Sequence, residues 1–124
     1  MLISRRNREN WIIPKGWPAK NLSFTQAAQR EAMEEAGIEG LVQSTSIGEF
    51  SYQKRVRKSY FAPCRVIVYP LLVTKHALNW EEKRQRRILW CPLVKALTTV
   101  TESGLTKLLK KVSSYPERLH VSRD

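Results

Sequence analysis

Three carboxylates carry the clearest chemistry in this sequence. Glu31, Glu34 and Glu35 are spaced i, i+3, i+4, so on a helix their side chains share one face. Like charges so placed repel, at ~0.2–0.5 kcal/mol per pair on an isolated helix. A hard cation such as Mg²⁺ turns that cost into a purpose, because it prefers carboxylate oxygens. Arg30 lies four residues before Glu34 and is placed to brace it. Ahead of the acidic segment, Pro14-Lys15-Gly16 supplies a cation and a backbone with no side chain to keep a ligand away. A strand, a glycine loop and an acidic helix in that order bring carboxylates, a metal and a phosphate-binding lysine into one crevice. The same spacing also occurs on solvated, glutamate-rich helix faces, and spacing alone does not choose between the two.

The elements that must position these groups follow from local pattern. Trp11-Ile12-Ile13 reads as a short strand ending at the Pro14-Lys15-Gly16 loop, which Pro18 keeps from turning helical at once. Ser23-Phe24-Thr25-Gln26 has the form of a capping box, and Gly37 stands where a left-handed C-cap belongs, so a helix is expected over about 24–36. Thr45 to Gln53 and Val56 to Ala62 read as strands around a basic turn at Lys54-Arg55. Arg65 to Thr74 reads as one buried strand, with Pro70 at an edge or bulge. Ile88-Leu89-Trp90 is a further short strand. Leu105, Leu108, Leu109 and Val112 recur at helical spacing, predicting a second helix over about 102–112, followed by a loose polar tail from Ser113 to Asp124. The expected fold class is α/β, an α/β/α sandwich with a mixed sheet between helices, in a single domain over residues 1–124. Met1 to Ser4 reads as the end of a strand whose preceding strand is absent: either the chain starts upstream of Met1 or the sheet has lost a strand.

Gly16 together with Arg30-Glu31-Ala32-Met33-Glu34-Glu35-Ala36-Gly37-Ile38 resembles the Nudix box, G-x5-E-x7-R-E-U-x-E-E-x-G-U with U apolar, and matches eight of its nine specified positions in register. The departure is Leu22, where the box has its first Glu. Leu22 immediately precedes the N-cap and is placed to staple the helix start by packing near Ala27. Trp11-Ile12-Ile13-Pro14-Lys15-Gly16, Ile38-Glu39-Gly40, and Asn79-Trp80-Glu81-Glu82 with Arg84, Arg86, Arg87 and the Trp90 strand are similar to the diphosphoinositol polyphosphate and diadenosine polyphosphate phosphohydrolase branch of that family. The resemblance runs from Leu2 to about Leu109. It implies the Nudix fold and hydrolysis of a diphosphate linked to another group, with Mg²⁺ (or Mn²⁺) as cofactor and a polyphosphorylated small molecule as partner. It further implies that Glu34 and Glu35 bind metal near the Gly16 carbonyl, that Glu31 binds metal or orients the attacking water, and that Arg30 braces the carboxylates. Glu81 or Glu82 is the candidate for a further acid outside the box. Ser4, Arg5 and Lys15 are implied at the mouth of the site as phosphate contacts. Arg6, Arg57 and Lys58 are further phosphate-binding candidates, and Trp17 is the aromatic placed to meet a base or inositol ring.

The rest of the composition sets the setting. Twenty-two basic against eleven acidic side chains give a net charge of +11, which favours anionic partners. Cys64 and Cys91 do not form a CxxC pair, and His76 and His120 lack ligand spacing, so neither a disulfide framework nor a zinc site is expected. No apolar stretch reaches membrane-spanning length and Met1-Leu2-Ile3 runs straight into Ser4-Arg5-Arg6, so the expectation is a cytoplasmic protein with reduced thiols. Two alternatives stand beside the hydrolase. One is a basic RNA-binding or RNA 5′-pyrophosphohydrolase protein using Lys54 to Lys58 and Lys83 to Arg87, although no RNA-binding signature is present. The other is an inactive Nudix scaffold, suggested by Leu22.

Overall fold

The computed structural model describes residues 1–6 and 9–115. In chain order the elements are β1 (Leu2–Ser4), β2 (Trp11–Ile12), α1 (Phe24–Ala36), β3 (Ile38–Val42), β4 (Gly48–Arg57), β5 (Tyr60–Val68), β6 (Leu71–His76), β7 (Ile88–Leu89), α2 (Leu93–Thr99) and α3 (Ser103–Ser114). The strands form three ladders, β2-β1-β7, β3-β6 and β4-β5, each antiparallel. One isolated parallel bridge joins Trp11 to Val100. Among the described residues no helix is long and apolar enough to cross a membrane.

The layering is set by β1, where successive side chains point to opposite faces of the sheet. Leu2 is buried with Ile47, Phe50, Leu105, Leu108, Leu109 and Val112, on the side covered by α3. Ile3 is buried with Ile12, Ala32, Ala36 and Ile38, on the side covered by α1. A strand layer with a helix against each face is the expected α/β/α arrangement. The leucine stripe of α3 is buried as its spacing demands, and full burial of a side chain such as Leu105 or Val112 is worth about 1.5–3 kcal/mol.

Helix α1 begins and ends as its sequence specifies. The Ser23 hydroxyl accepts from the Gln26 amide at 3.2 Å, and the Gln26 side chain accepts from the Ser23 amide at 2.8 Å. Gly37 closes the helix at φ 69°, and its amide donates back to Ala32 and Met33. Leu22 is half-buried directly before the cap.

Several elements differ from the sequence reading. The β4–β5 turn falls at Lys58-Ser59, later than Lys54-Arg55, because the Lys54↔Ala62 and Arg55↔Phe61 pairs extend the ladder past the basic residues. The single strand expected over Arg65 to Thr74 is two strands, β5 and β6, split at Tyr69-Pro70. Strand β3 was not anticipated; it starts one residue after the Gly37 cap and pairs with β6 along its whole length. Helix α2 was also missed, being short and opening at Pro92. Ser113 and Ser114 belong to α3 rather than to a loose tail. Residues 116–124, with His120 and the rest of that tail, lie outside the described residues.

Candidate active site

The carboxylates gather where α1, the loop before it and the segment before β7 meet. Two backbone bonds strap that segment onto the C-terminal half of α1: Ala77 N–H to the Gly37 carbonyl at 2.7 Å and Glu82 N–H to the Glu34 carbonyl at 3.0 Å. Trp80 then lies over Gly37, where any Cβ would overlap its ring. His76 stacks on the Trp80 ring at 5.1 Å between centroids. The strap delivers Glu82, buried, to the same side as the helix carboxylates, while Glu81 stays exposed. Of the two candidates for a further acid, Glu82 is the one at the site.

The three helix glutamates share a face as their spacing predicts, but they are partnered differently. Glu34 is held by Arg30, Nε to Oε1 at 2.8 Å, which is the brace expected from the i, i+4 spacing. Glu35 is 5% exposed; its Oε1 accepts from the Lys15 amide at 2.9 Å and its Oε2 pairs with Arg86 Nη2 at 2.9 Å. Glu82 Oε1 accepts from Arg86 Nε at 2.9 Å and from Arg6 Nη2 at 3.0 Å. Glu31 makes no hydrogen bond or ion pair among the described residues. It lies against Gly16, where a Cβ would overlap its carboxyl group. Gly16 is therefore needed for space, beyond the backbone freedom the sequence suggested.

Their charges are tuned accordingly. Burial pushes Glu35 up to about 7; the Lys15 amide and Arg86 pull it back only in part, and Glu31 and Glu82 push it further. Glu31 is raised by burial first and then by Glu34 and Glu82. Glu82 is also pressed upward by burial, but hydrogen bonds and charge from Arg86 and Arg6 prevail and leave it below the ordinary carboxylate range.

The remaining candidates fall into two groups. Lys15 lines a cleft that Glu35 and Arg86 also line, with Nζ 3.1 Å from the Tyr52 hydroxyl. Trp17 is 65% exposed at the same cleft, with Lys54 Nζ 4.8 Å from its ring centroid. The cleft has a volume of about 760 Å³ and reaches inward between the two cores. Arg5 is half-buried beside Lys15 and Tyr52, and its Nε is buried without a hydrogen-bond partner among the described residues. A guanidinium so placed is a ready anion contact. Ser4 is different and corrects the sequence reading. It is 2% exposed, and its hydroxyl accepts from the Arg87 amide at 2.8 Å, so it fixes β1 to the segment before β7 instead of standing open at the mouth. Arg57 and Lys58 sit at the far turn of the β4–β5 hairpin, where Arg57 packs on Tyr60 at 5.4 Å; they do not join the cleft. Trp11 and Trp80 are half-buried and Trp90 is 53% exposed, as rim aromatics would be. Tyr52 was assigned no role from sequence, and Arg86 entered only within the resemblance and the Lys83 to Arg87 basic stripe, not as a partner of the carboxylates; its four-residue spacing from Glu82 was the local signal for that.

Oxygen-only donors crowded enough to raise each other's proton affinity fit a hard divalent cation. Among the described residues, however, no three Asp, Glu, His or Cys side chains close on a common point. Arg30 holds one oxygen of Glu34, and the two oxygens of Glu35 each accept one bond, from Lys15 and Arg86, and keep free lone pairs. Glu31, Glu34 and Glu35, with the Gly16 backbone, are the groups that could hold a cation.

The structure is an α/β sandwich that presents an arginine-braced glutamate helix to a glycine loop. The NUDIX domain model matches residues 1–112, and the chain belongs to that family. It is 28% identical over 114 residues to Nudix hydrolase 12, mitochondrial, of Arabidopsis thaliana, covering 90% of this chain and 56% of the relative. It is 33% identical over 82 residues to diphosphoinositol polyphosphate phosphohydrolase 2 of Rattus norvegicus, covering 66% of this chain and 41% of that protein. The chain thus spans about half the length of the curated relatives it matches. Among solved structures, the MutT protein from Methanosarcina mazei Go1 aligns with a TM-score of 0.65 at 21% identity, covering 94% of this chain and 84% of that one. A C. elegans Ap4A hydrolase binary complex aligns at 0.61 and 21%, covering 93% and 84%. At that identity the two structures speak for the fold.

Proposed function

We propose that this chain, acting as a single domain, hydrolyses a diphosphate bond in a polyphosphorylated small molecule of the diphosphoinositol polyphosphate or dinucleoside polyphosphate type. The observation that carries the reading is Glu31: an unpartnered carboxylate of raised proton affinity, pressed against Gly16 inside a ring of arginine-tethered carboxylates. The names of the relatives, a diphosphoinositol polyphosphate phosphohydrolase and an Ap4A hydrolase, support the substrate class.

Bound Mg²⁺ or Mn²⁺, held by Glu34 and Glu35 near the Gly16 carbonyl, would neutralise pyrophosphate oxygens and acidify a water. The protein's own part is mainly positioning. Arg30 holds Glu34 in place. The Lys15 amide and Arg86 hold Glu35. Glu31, untethered beside Gly16, orients the attacking water and takes its proton. Arg5 and Lys15, beside Tyr52, bind the substrate phosphates.

The test is product release from diadenosine polyphosphates, diphosphoinositol phosphates, nucleoside triphosphates, ADP-ribose and triphosphorylated RNA. Each is run with Mg²⁺, with chelator, and with Glu31→Gln and Glu34→Gln. Metal-dependent turnover lost in both variants is the expected result. Silence across the panel from folded protein would refute activity and favour the inactive scaffold to which Leu22 points. Turnover confined to RNA would move the substrate class.

A further inference from the structure

We propose that Arg86 is a positioning residue of the hydrolytic site, fixing the carboxylates of Glu35 and Glu82 in orientation around Glu31. The inference rests on the function proposed above. Its basis is that one guanidinium uses three nitrogens on three segments distant in sequence: Nη2 on Glu35 of α1 at 2.9 Å, Nε on Glu82 at 2.9 Å, and Nη1 on the Ser4 carbonyl at the end of β1 at 3.1 Å. Its side chain is only 10% exposed. A planar guanidinium sends its N–H bonds out at fixed angles, so seating one edge dictates where the other two point.

The seat itself is rigid. Ser4 and Arg87 exchange two bonds, amide to carbonyl at 2.9 Å and Arg87 amide to Ser4 hydroxyl at 2.8 Å, which pins the backbone beside Arg86. Its two carboxylate partners are each gripped a second time, Glu35 by the Lys15 amide and Glu82 by Arg6. Glu31 has no such grip. Of the carboxylates around it, Glu34 takes its direction from Arg30, and Glu35 and Glu82 take theirs from Arg86, which is the buried positive charge beside them. A lysine at this position keeps that charge but cannot hold three acceptors in a plane.

Arg86→Lys is compared with wild type by near-ultraviolet circular dichroism, by Mn²⁺ binding to the protein alone in electron paramagnetic resonance, and by steady-state hydrolysis. The expected result is a folded protein whose Mn²⁺ affinity and kcat each fall about 10–100-fold, with KM nearly unchanged. A role confined to holding the fold predicts lowered thermal stability with Mn²⁺ affinity and kcat intact, and that result overturns the proposal. If Arg86→Lys does not fold, Glu82→Gln decides: it keeps an oxygen for Arg86 but weakens the anchor, and it must lower the same two quantities in the same direction. Unchanged values in Glu82→Gln also overturn the proposal. Wild-type protein that binds Mn²⁺ yet hydrolyses nothing defeats the proposed function, while the Mn²⁺ comparison still judges Arg86. Wild-type protein that binds no Mn²⁺ overturns both.

Discussion

Replacing Glu35 with Gln isolates the cost of burying one carboxyl. Folding moves this group from its ordinary 4.5 to about 7, chiefly by burial. A carboxyl whose proton affinity rises on folding favours the folded state in its protonated form. Its contribution is fully present below about pH 4.5 and is lost as pH rises through about 7. At ~1.4 kcal/mol per tenfold change in proton affinity, the loss reaches about 3 kcal/mol by pH 7.5. That is a large share of the 5–15 kcal/mol by which a typical domain is stable. Glu35→Gln cannot titrate, and the Arg86 contact that it weakens is already counted in the raised proton affinity of Glu35. The stability of Glu35→Gln relative to wild type should therefore climb by about 3 kcal/mol between pH 4 and pH 7.5, whatever its starting value. Urea denaturation followed by tryptophan fluorescence, with chelator present, measures it at four pH values. A flat difference would refute the reasoning. So would a fall with pH, because the Arg86 ion pair would then outweigh burial.

Further outcomes follow from other positions. Gly16→Ala places a methyl group in the space of the Glu31 carboxyl, so hydrolysis should fall by about a hundred-fold while the unfolding midpoint moves little; a fully active variant would show that Glu31 is not confined there. Ser23→Ala removes one arm of the capping box and should cost about 1 kcal/mol in urea denaturation at fixed pH. Gly37→Ala meets both a left-handed backbone and the Trp80 ring, and should destabilise by more than the ~1–2 kcal/mol of the backbone strain alone, with a change in tryptophan emission. Mg²⁺ should raise the thermal midpoint of wild type in a concentration-dependent way at pH 7.5, and Glu34→Gln should reduce that rise.

Features governed by neighbours in the chain were legible in the sequence. The capping box at Ser23, the Gly37 cap, the α3 stripe and the Arg30–Glu34 pair each depend on residues within one or two helical turns. The box spacing announced the glutamate face on α1 for the same reason. Contacts closed by tertiary structure were hidden. Nothing local says that both oxygens of Glu35 are taken by Lys15 and Arg86, since those partners lie twenty and fifty-one positions away. Ser4 was placed at the mouth by the resemblance, while its burial depends on pairing with Arg87, eighty-three positions away. Strand β3 escaped notice because Glu39 and Gly40 lower its strand propensity, and its pairing with β6 overrides that preference. The β4–β5 turn was displaced because a cluster of cations resembles a turn in composition, yet the strand backbone carries cations readily on an exposed face.

Lys15 performs two separable jobs. Its amide fixes Glu35, and its ammonium faces Tyr52 in the cleft. The first job belongs to the backbone and is indifferent to which side chain is present, proline excepted. The second belongs wholly to the side chain. Natural variation at this one position can thus alter what the cleft prefers to bind while the grip on Glu35 is inherited unchanged, so that selectivity can drift across generations without passing through a broken enzyme.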